Sequence, residues 1–291
     1  MKFKHVPAIG DKQAIIRVEG LEKATTLLHI TDSHLNATDL RVGTDIFEES
    51  YRTYVFDELE TKMHFERTLE YANRLQADCV VLTGDIVNGA TQGNTDYLES
   101  RLSTLRSPYL YTFGNHDWEY PGKPWGGATR SEHHGAFRRL MQTDPFAQSV
   151  VAGGINLVAI DNSTYQVSEA QLAFMKEQLA RGLPTLLFMH IPIYVPSLLE
   201  DVMKKWHAPI MMAAECWDEE ARRRWMVGET EPSTAEFFRL LNDNPHENLI
   251  GVFCGHVHFP HRDAFGRGSV QYVTKHGFEG GYRVIRLLPW E

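Results

Sequence analysis

Five short runs of apolar and β-branched residues in this chain each break off into a polar cluster, and that pattern constrains the fold most. The runs are Thr26–Thr31, Ala77–Thr83, Pro108–Phe113, Thr185–Met189 and Leu249–Cys254. The clusters that follow them are Asp32-Ser33-His34, Gly84-Asp85, Gly114-Asn115-His116-Asp117, His190 and Gly255-His256-Val257-His258. Such runs, bounded by turn formers, read as buried strands. Ile155–Ile160, Ser269–Thr274 and Tyr282–Leu287 read the same way. Helical spacing predicts helices over Thr61–Gln76, Asn94–Arg106, Ser131–Met141, Ser168–Arg181 and Ser233–Asn242. Two of these open on capping-box pairs, Ser168 with Gln171 and Ser233 with Glu236. Strands alternating with helices indicate a layered α/β core, and the helix-free end of the chain suggests added antiparallel strands. In α/β sheets ligands collect beyond the carboxyl ends of strands, where all five clusters fall.

Composition narrows the chemistry. The chain has 291 residues and a formal net charge of −9, which speaks against a basic nucleic-acid coat or an anionic membrane surface. A phosphate substrate stays open, because bound metal ions can supply local positive charge. There are 14 histidines but three scattered cysteines, Cys79, Cys216 and Cys254. Those three make neither a disulfide framework nor a Cys-rich zinc site, so a metal here would be held by histidines and carboxylates. Residues Met1–Asp11 lack the apolar core of a secretory signal, and Leu183–Pro196 is too short for a membrane span. Cytoplasmic residence is the default expectation. With no repeat, linker or low-complexity tract, residues 1–291 read as one domain.

Three stretches are long for loops: Asn36–Glu60, Trp118–Gln148 and Ile191–Pro232. The last carries Tyr194, Trp206, Trp217, Arg222, Arg223, Arg224 and Trp225. It reads as a cap-like insertion over about 191–232, either a small helical piece with its own aromatic packing or a wall facing a substrate.

The polar clusters differ in information. Asp-x-His means nothing alone, whereas Gly-Asn-His-Asp is expected about 0.002 times by chance. Carboxylates and imidazoles suit manganese, iron and zinc, while a magnesium or calcium cage would be built almost wholly of oxygen. In an extended chain, Asp-x-His and His-x-His each place two donors on one side. One carboxylate with two oxygens can bridge two metals, as two-metal hydrolysis requires. Glycines before Asp85, Asn115 and His256 would let the backbone turn tightly and bring each ligand inward.

Taken in order, Asp-x-His, Gly-Asp, Gly-Asn-His-Asp, His and Gly-His-x-His resemble the calcineurin-like metallophosphoesterase superfamily, from Asp32 to His258. The resemblance implies a four-layer α/β/β/α sandwich with a two-metal site at one edge of its sheets. It implies Asp32, His34, Asp85 and His258 on the first metal. Asp85 would bridge, and Asn115, His190 and His256 would complete the second site. His116 would be the non-ligand histidine that assists the leaving oxygen, and a hydroxide bridging the metals would attack phosphorus. Within the superfamily, Leu28–Leu35 and Gly-His-Val-His are similar to class III cyclic nucleotide phosphodiesterases.

A small-molecule or nucleotide phosphodiester is therefore the leading substrate class. Phosphomonoester hydrolysis, nucleotide pyrophosphate hydrolysis under an apolar lid of Leu198, Leu199, Val202 and Met203, and a silent binding scaffold are the alternatives. A nuclease would want a basic groove, which the charge disfavours. Association with a second copy of the chain is compatible with these features. At Asn88 the purple acid phosphatases carry a tyrosine ligand, and many relatives carry an aspartate that orients the catalytic histidine. Asn88 is expected beside the substrate and His116, able to accept a hydrogen bond but not to supply charge. Trp118 and Tyr194, with Tyr120 and Trp125, are expected to stack a base or wall the pocket.

Overall fold

A computed structural model describes residues 1–37, 57–120, 123–141 and 144–290. Most of the long 36–60 stretch lies outside the described residues. In chain order the strands are β1 (Phe3–Val6), β2 (Gln13–Val18), β3 (Thr25–Ile30), β4 (Cys79–Thr83), β5 (Tyr109–Thr112) and β6 (Ala147–Ala152). They continue with β7 (Ile155–Ile160), β8 (Thr185–Phe188), β9 (Leu249–Cys254), β10 (His261–Phe265), β11 (Ser269–Val273) and β12 (Arg283–Pro289). The described helices are α1 (Glu58–Leu75), α2 (Gln92–Leu102), α3 (Asn115–Trp118), α4 (Gly127–His133), α5 (Glu169–Ala180), α6 (Pro196–Trp206), α7 (Glu219–Trp225) and α8 (Pro232–Asp243).

Among the described residues the strands form two six-stranded sheets, ordered β1-β2-β12-β3-β4-β5 and β10-β11-β9-β8-β7-β6. β3, β4 and β5 run parallel in the first, and β7, β8, β9 and β11 in the second. The five motif-bearing strands are thus parallel neighbours in their sheets, and their carboxyl ends open on the same edge of the sandwich.

Burial on both faces explains why these strands read as unbroken apolar runs. Successive side chains alternate faces, so Leu27, Cys79, Val81, Leu186 and Phe188 pack between the two sheets. Their neighbours Leu28, Val80 and Leu82 face outward onto Phe65 and Leu69 of α1 and Leu98 of α2. Leu187 and Val158 face outward onto Leu172 and Met175 of α5 and Phe237 of α8. The layers are helix, sheet, sheet, helix, the four-layer α/β/β/α arrangement expected. Cys79 and Cys254 pack inside as small apolar residues.

Strands β1, β2, β6 and β10 were not legible in the sequence. Three of them, β1, β6 and β10, are sheet edges, whose exposed residues dilute the apolar signal. The helix expected at Ser131–Met141 is instead α4 followed by a 3₁₀ turn at His134–Phe137, where Gly135 weakens helix propagation. The Ser168–Gln171 capping box forms as expected. That at Ser233 does not: Pro232 occupies the first helical turn and the Ser233 hydroxyl donates to the Val167 carbonyl at 2.7 Å. The 191–232 stretch contains α6 and α7, with Leu198 and Val202 buried against the outer face of the second sheet. Among the described residues no helix is long and apolar enough to cross a membrane.

Candidate metal centre

Each motif starts where its strand ends, and there the backbone abandons extended geometry. Asp32, His34, Asp85, His256 and His258 all have φ between 48° and 69°, in the left-handed region. Non-glycine residues adopt it at a cost of about 1–3 kcal/mol each, and such strain concentrates at functional sites. Strand periodicity is therefore not what places Asp32 beside His34, or His256 beside His258. Turning at every second residue does it, which corrects the extended-chain expectation.

Neighbouring loops hold this shape for one another. Asp32 and His34 amides donate to the Gly84 and Asp85 carbonyls at 3.0 and 2.9 Å. The fully buried Asp117 carboxylate accepts from the amides of Asp85, Ile86, Val87 and Gly114, at 2.7–3.0 Å. Its role is to fold the Gly84-Asp85 loop onto the Gly114 loop.

The glycines serve two purposes. Gly84 has φ of 79°, as the tight turn requires. Gly255 is needed for space: a Cβ there would run into the Thr31 and Asp32 side chains. Gly255→Ala is expected to cost about 1–3 kcal/mol of stability by overpacking, read from the denaturant midpoint. An unchanged midpoint would remove that role.

Two groups of potential donors converge. Asp32, His34, Asp85 and His258 form one, and Asp85, His190 and His256 the other, with donor atoms within 4.8 Å of each other in each group. Asp85 belongs to both. His34 Nε2 lies 3.1 Å from His258 Nε2, and His190 Nε2 lies 3.2 Å from His256 Nδ1. Imidazole nitrogens converging this closely, once deprotonated, can share a cation. Asn115 Oδ1 is buried with no hydrogen-bond partner among the described residues, an orphan acceptor in the residue that lines the same pocket as the donors. The donor set therefore fits two cations taking nitrogen and oxygen ligands.

The other ring nitrogens are pinned. His34 Nδ1 contacts Asn88 Oδ1 at 2.7 Å, His190 Nδ1 the Thr83 carbonyl at 2.8 Å, and His256 Nε2 the Tyr165 hydroxyl at 2.8 Å. These partners fix which nitrogen faces the centre. Tyr165 carried no signal in the sequence, since it stands far from any motif. Tyr165→Phe is expected to weaken binding of one metal ion about 10- to 100-fold, measured by titration with Mn²⁺. Equal affinities in the two proteins would show the hydroxyl to be irrelevant.

Charge follows the same logic. Burial alone would raise the Asp85 pKa, but His190 and His116 hold the carboxyl well below its usual range. Burial would lower His190, yet Asp85 and Asp32 raise it to about 9. Burial dominates at His34, lowering it to about 3. The two carboxylates thus draw positive charge into a largely buried site, a demand that divalent cations would meet.

His116 stands apart from the donors. Its backbone amide donates to Asp85 Oδ1 at 2.8 Å, and its Nδ1 forms an ion pair with Glu119 Oε2 at 3.0 Å. Burial would lower its pKa, but Glu119 and Asp85 lift it to about 10. Glu119 supplies the charge beside His116 that Asn88, as an amide, cannot. It sits three residues on, a spacing that places it beside His116 in the α3 turn. Asn88 cannot take that place, because its loop runs alongside Leu35 and its side chain goes to His34.

A pocket of about 520 Å³ opens over the donors, lined by His34, Asp85, Asn115, His116, His256 and His258. Glu119, Trp125, Tyr165, Trp206, Ile210, Arg224, Trp225 and Met226 complete its wall. Of the expected aromatics, Trp125 is there and Trp118 and Tyr194 are not. Trp118 is fully buried behind Trp125, its indole N–H donating to Ser163 Oγ at 2.9 Å. Tyr194 lines a separate hollow with Val195, Glu215 and Phe265, because the bridge between Ile193 and Met212 carries the chain away from the site. Tyr120 stacks on His133 at 4.6 Å. Leu198 and Val202 are likewise in the core, so they form no apolar lid. The insertion reaches the site through the ends of α6 and α7. Trp206 Nε1 donates to the Val257 carbonyl at 2.8 Å, and Lys205 Nζ to the His258 carbonyl at 2.6 Å.

A two-sheet α/β sandwich in which two groups of potential metal donors share a carboxylate is suited to two-metal chemistry. Residues 25–260 match the calcineurin-like phosphoesterase family. The chain belongs to that family of metal-dependent phosphoester hydrolases. It is 30% identical over 128 residues to a protein of Rhodopseudomonas palustris named as a probable cyclic nucleotide phosphodiesterase. That match spans 41% of this chain and 44% of the relative. Among solved structures, a dimetal phosphatase from Danio rerio shares the fold at a TM-score of 0.53 and 13% identity, over 90% of this chain and 92% of that one. A purple acid phosphatase from yellow lupin, Lupinus luteus, gives 0.54 and 14%, over 92% of this chain and 46% of that one.

Proposed function

We propose that this protein hydrolyses a small-molecule or nucleotide phosphodiester at a dinuclear centre. The observation that carries the reading is the placement of Asp85 in both donor groups, with His116 directly beside them on the pocket wall. Asp32, His34, Asp85 and His258 would hold one ion, and Asp85, Asn115, His190 and His256 the other. Manganese, iron and zinc all suit these donors. When bound, two such ions lower the pKa of water and neutralise the phosphoryl oxygens.

The chain's own residues then divide the remaining work. Asn88, Thr83 and Tyr165 keep the imidazoles oriented. His116, anchored at Nδ1 by Glu119, holds a proton on Nε2 for the departing oxygen. Its raised pKa keeps the acid form populated at neutral pH, and nearby divalent cations would bring that value down toward the working range. The named relative from R. palustris supports the diester over the monoester.

The test is a substrate panel on protein loaded separately with Mn²⁺, Fe²⁺ and Zn²⁺. The expected result is turnover of a bis-aryl phosphate and a cyclic nucleotide at rates well above that of an aryl monophosphate. Faster monoester hydrolysis would reverse the preference, and two bound ions without turnover of any substrate would point to a binding scaffold.

A further inference from the structure

Beyond the metal end, the pocket changes character. Its far wall is built by the 191–232 insertion, from Trp206, Ile210, Trp225 and Met226, and Trp125 also contributes to the lining. The rings of Trp206 and Trp225 meet edge to face, with centroids 5.7 Å apart and planes at 85°. Trp206 is fixed at both ends, by its indole bond to the Val257 carbonyl and by ring contact with His258 at 5.3 Å. Trp225 Nε1 has no hydrogen-bond partner among the described residues, and its ring packs on Trp206. Such indole surfaces give flat, apolar area at little entropic cost, within reach of a group attached to a phosphate at the donors. The cavity, at about 520 Å³, is of the size that takes a small organic ligand.

We propose that Trp206 and Trp225 form a subsite for a planar aromatic group on the phosphoester, namely a nucleobase or an aryl ring. This deepens the phosphodiester reading and rests on it for the position of the phosphate. A cage of indoles also suits a quaternary ammonium. Among the described residues, Arg224 of the same wall pairs with Glu220 at 3.5 Å and Glu119, the lining carboxylate outside the metal groups, pairs with His116 at 3.0 Å, so the wall offers such a cation no unpaired carboxylate. The wall is thus matched to a neutral aromatic.

The experiment uses the full chain loaded with Mn²⁺, as wild type, Trp225→Ala and Trp225→Phe. Turnover is measured on a cyclic nucleotide, bis(4-nitrophenyl) phosphate, glycerophosphocholine and dimethyl phosphate. Binding of adenosine monophosphate is measured separately by calorimetry. Stacking predicts that Trp225→Ala raises KM for the aromatic diesters, and Kd for the nucleotide, by about 10- to 100-fold. Trp225→Phe should recover most of the loss, and the values for dimethyl phosphate should not move. A loss confined to the cyclic nucleotide identifies a base site, and one shared by both aromatic diesters an aryl site. Equal losses on all substrates, or loss confined to glycerophosphocholine, would overturn the subsite. The two readings fail separately. If no diester is hydrolysed but nucleotide binding still weakens in Trp225→Ala, the diesterase reading falls and the subsite stands. If diesters turn over and Trp225→Ala changes nothing, the reverse holds. A wild type that binds no nucleotide and hydrolyses no aromatic diester removes the subsite.

Discussion

Replacing His116 by alanine should lower kcat on a phosphodiester about 10²- to 10⁴-fold while leaving two metal ions per chain. The expectation follows from its position. His116 lies on the pocket wall beside the donors, yet its Nδ1 is committed to Glu119 and its backbone amide to Asp85. It contributes no side-chain donor to either convergent group. Kinetics with elemental analysis of the same preparation tests this. Loss of metal alongside activity would show His116 to be a ligand, and full activity would show that the leaving oxygen needs no acid from it. A substrate with a good leaving group, such as a nitrophenyl diester, should lose less than a nucleotide diester, because it needs the proton less.

A larger failure is expected of Asp85→Ala. Asp85 is shared by both donor groups, so its removal opens both sites at once. Metal content should fall below one ion per chain, and hydrolysis should fall below detection. Stability supplies an independent readout. Ions that bind only the folded chain contribute about 4 kcal/mol each at a thousandfold excess over Kd. Chelation should therefore lower the Tm of the loaded wild type by on the order of 10 °C. The same chelator should leave Asp85→Ala unmoved. A variant that still holds two ions would end the idea of a shared carboxylate.

The sequence revealed the centre of this molecule far better than its margins, for physical reasons. Strands β3, β4, β8 and β9 are buried on both faces, so composition alone marks them, and their polar ends stand out by contrast. The ordered motifs, through the resemblance they carry, pointed to Asp32, His34, Asp85, His190, His256 and His258, which the fold brings into two donor groups, and to Asn115 on the pocket wall. What the motifs could not convey was geometry made by distant chain. Tyr165 reaches His256 across 91 positions, and Asn88 serves His34 rather than His116. Trp118 and Trp225 look alike in sequence. Only packing decides that one is sealed behind Trp125 while the other faces the pocket. Glu119 was legible in principle, three residues after His116 in a turn of helix.

The bonds from the end of α6 to the Val257 and His258 carbonyls have a thermodynamic consequence. One short loop supports both a candidate metal donor, His258, and the wall where an organic group would rest. Occupancy of the two places is then linked, and linkage works in both directions. A ligand that steadied Trp206 and so favoured an ion at His258 would itself be bound more tightly, by the same factor, once that ion was in place. In such a protein metal retention is a property of the complex, and at scarce metal the presence of substrate itself helps to keep the centre assembled.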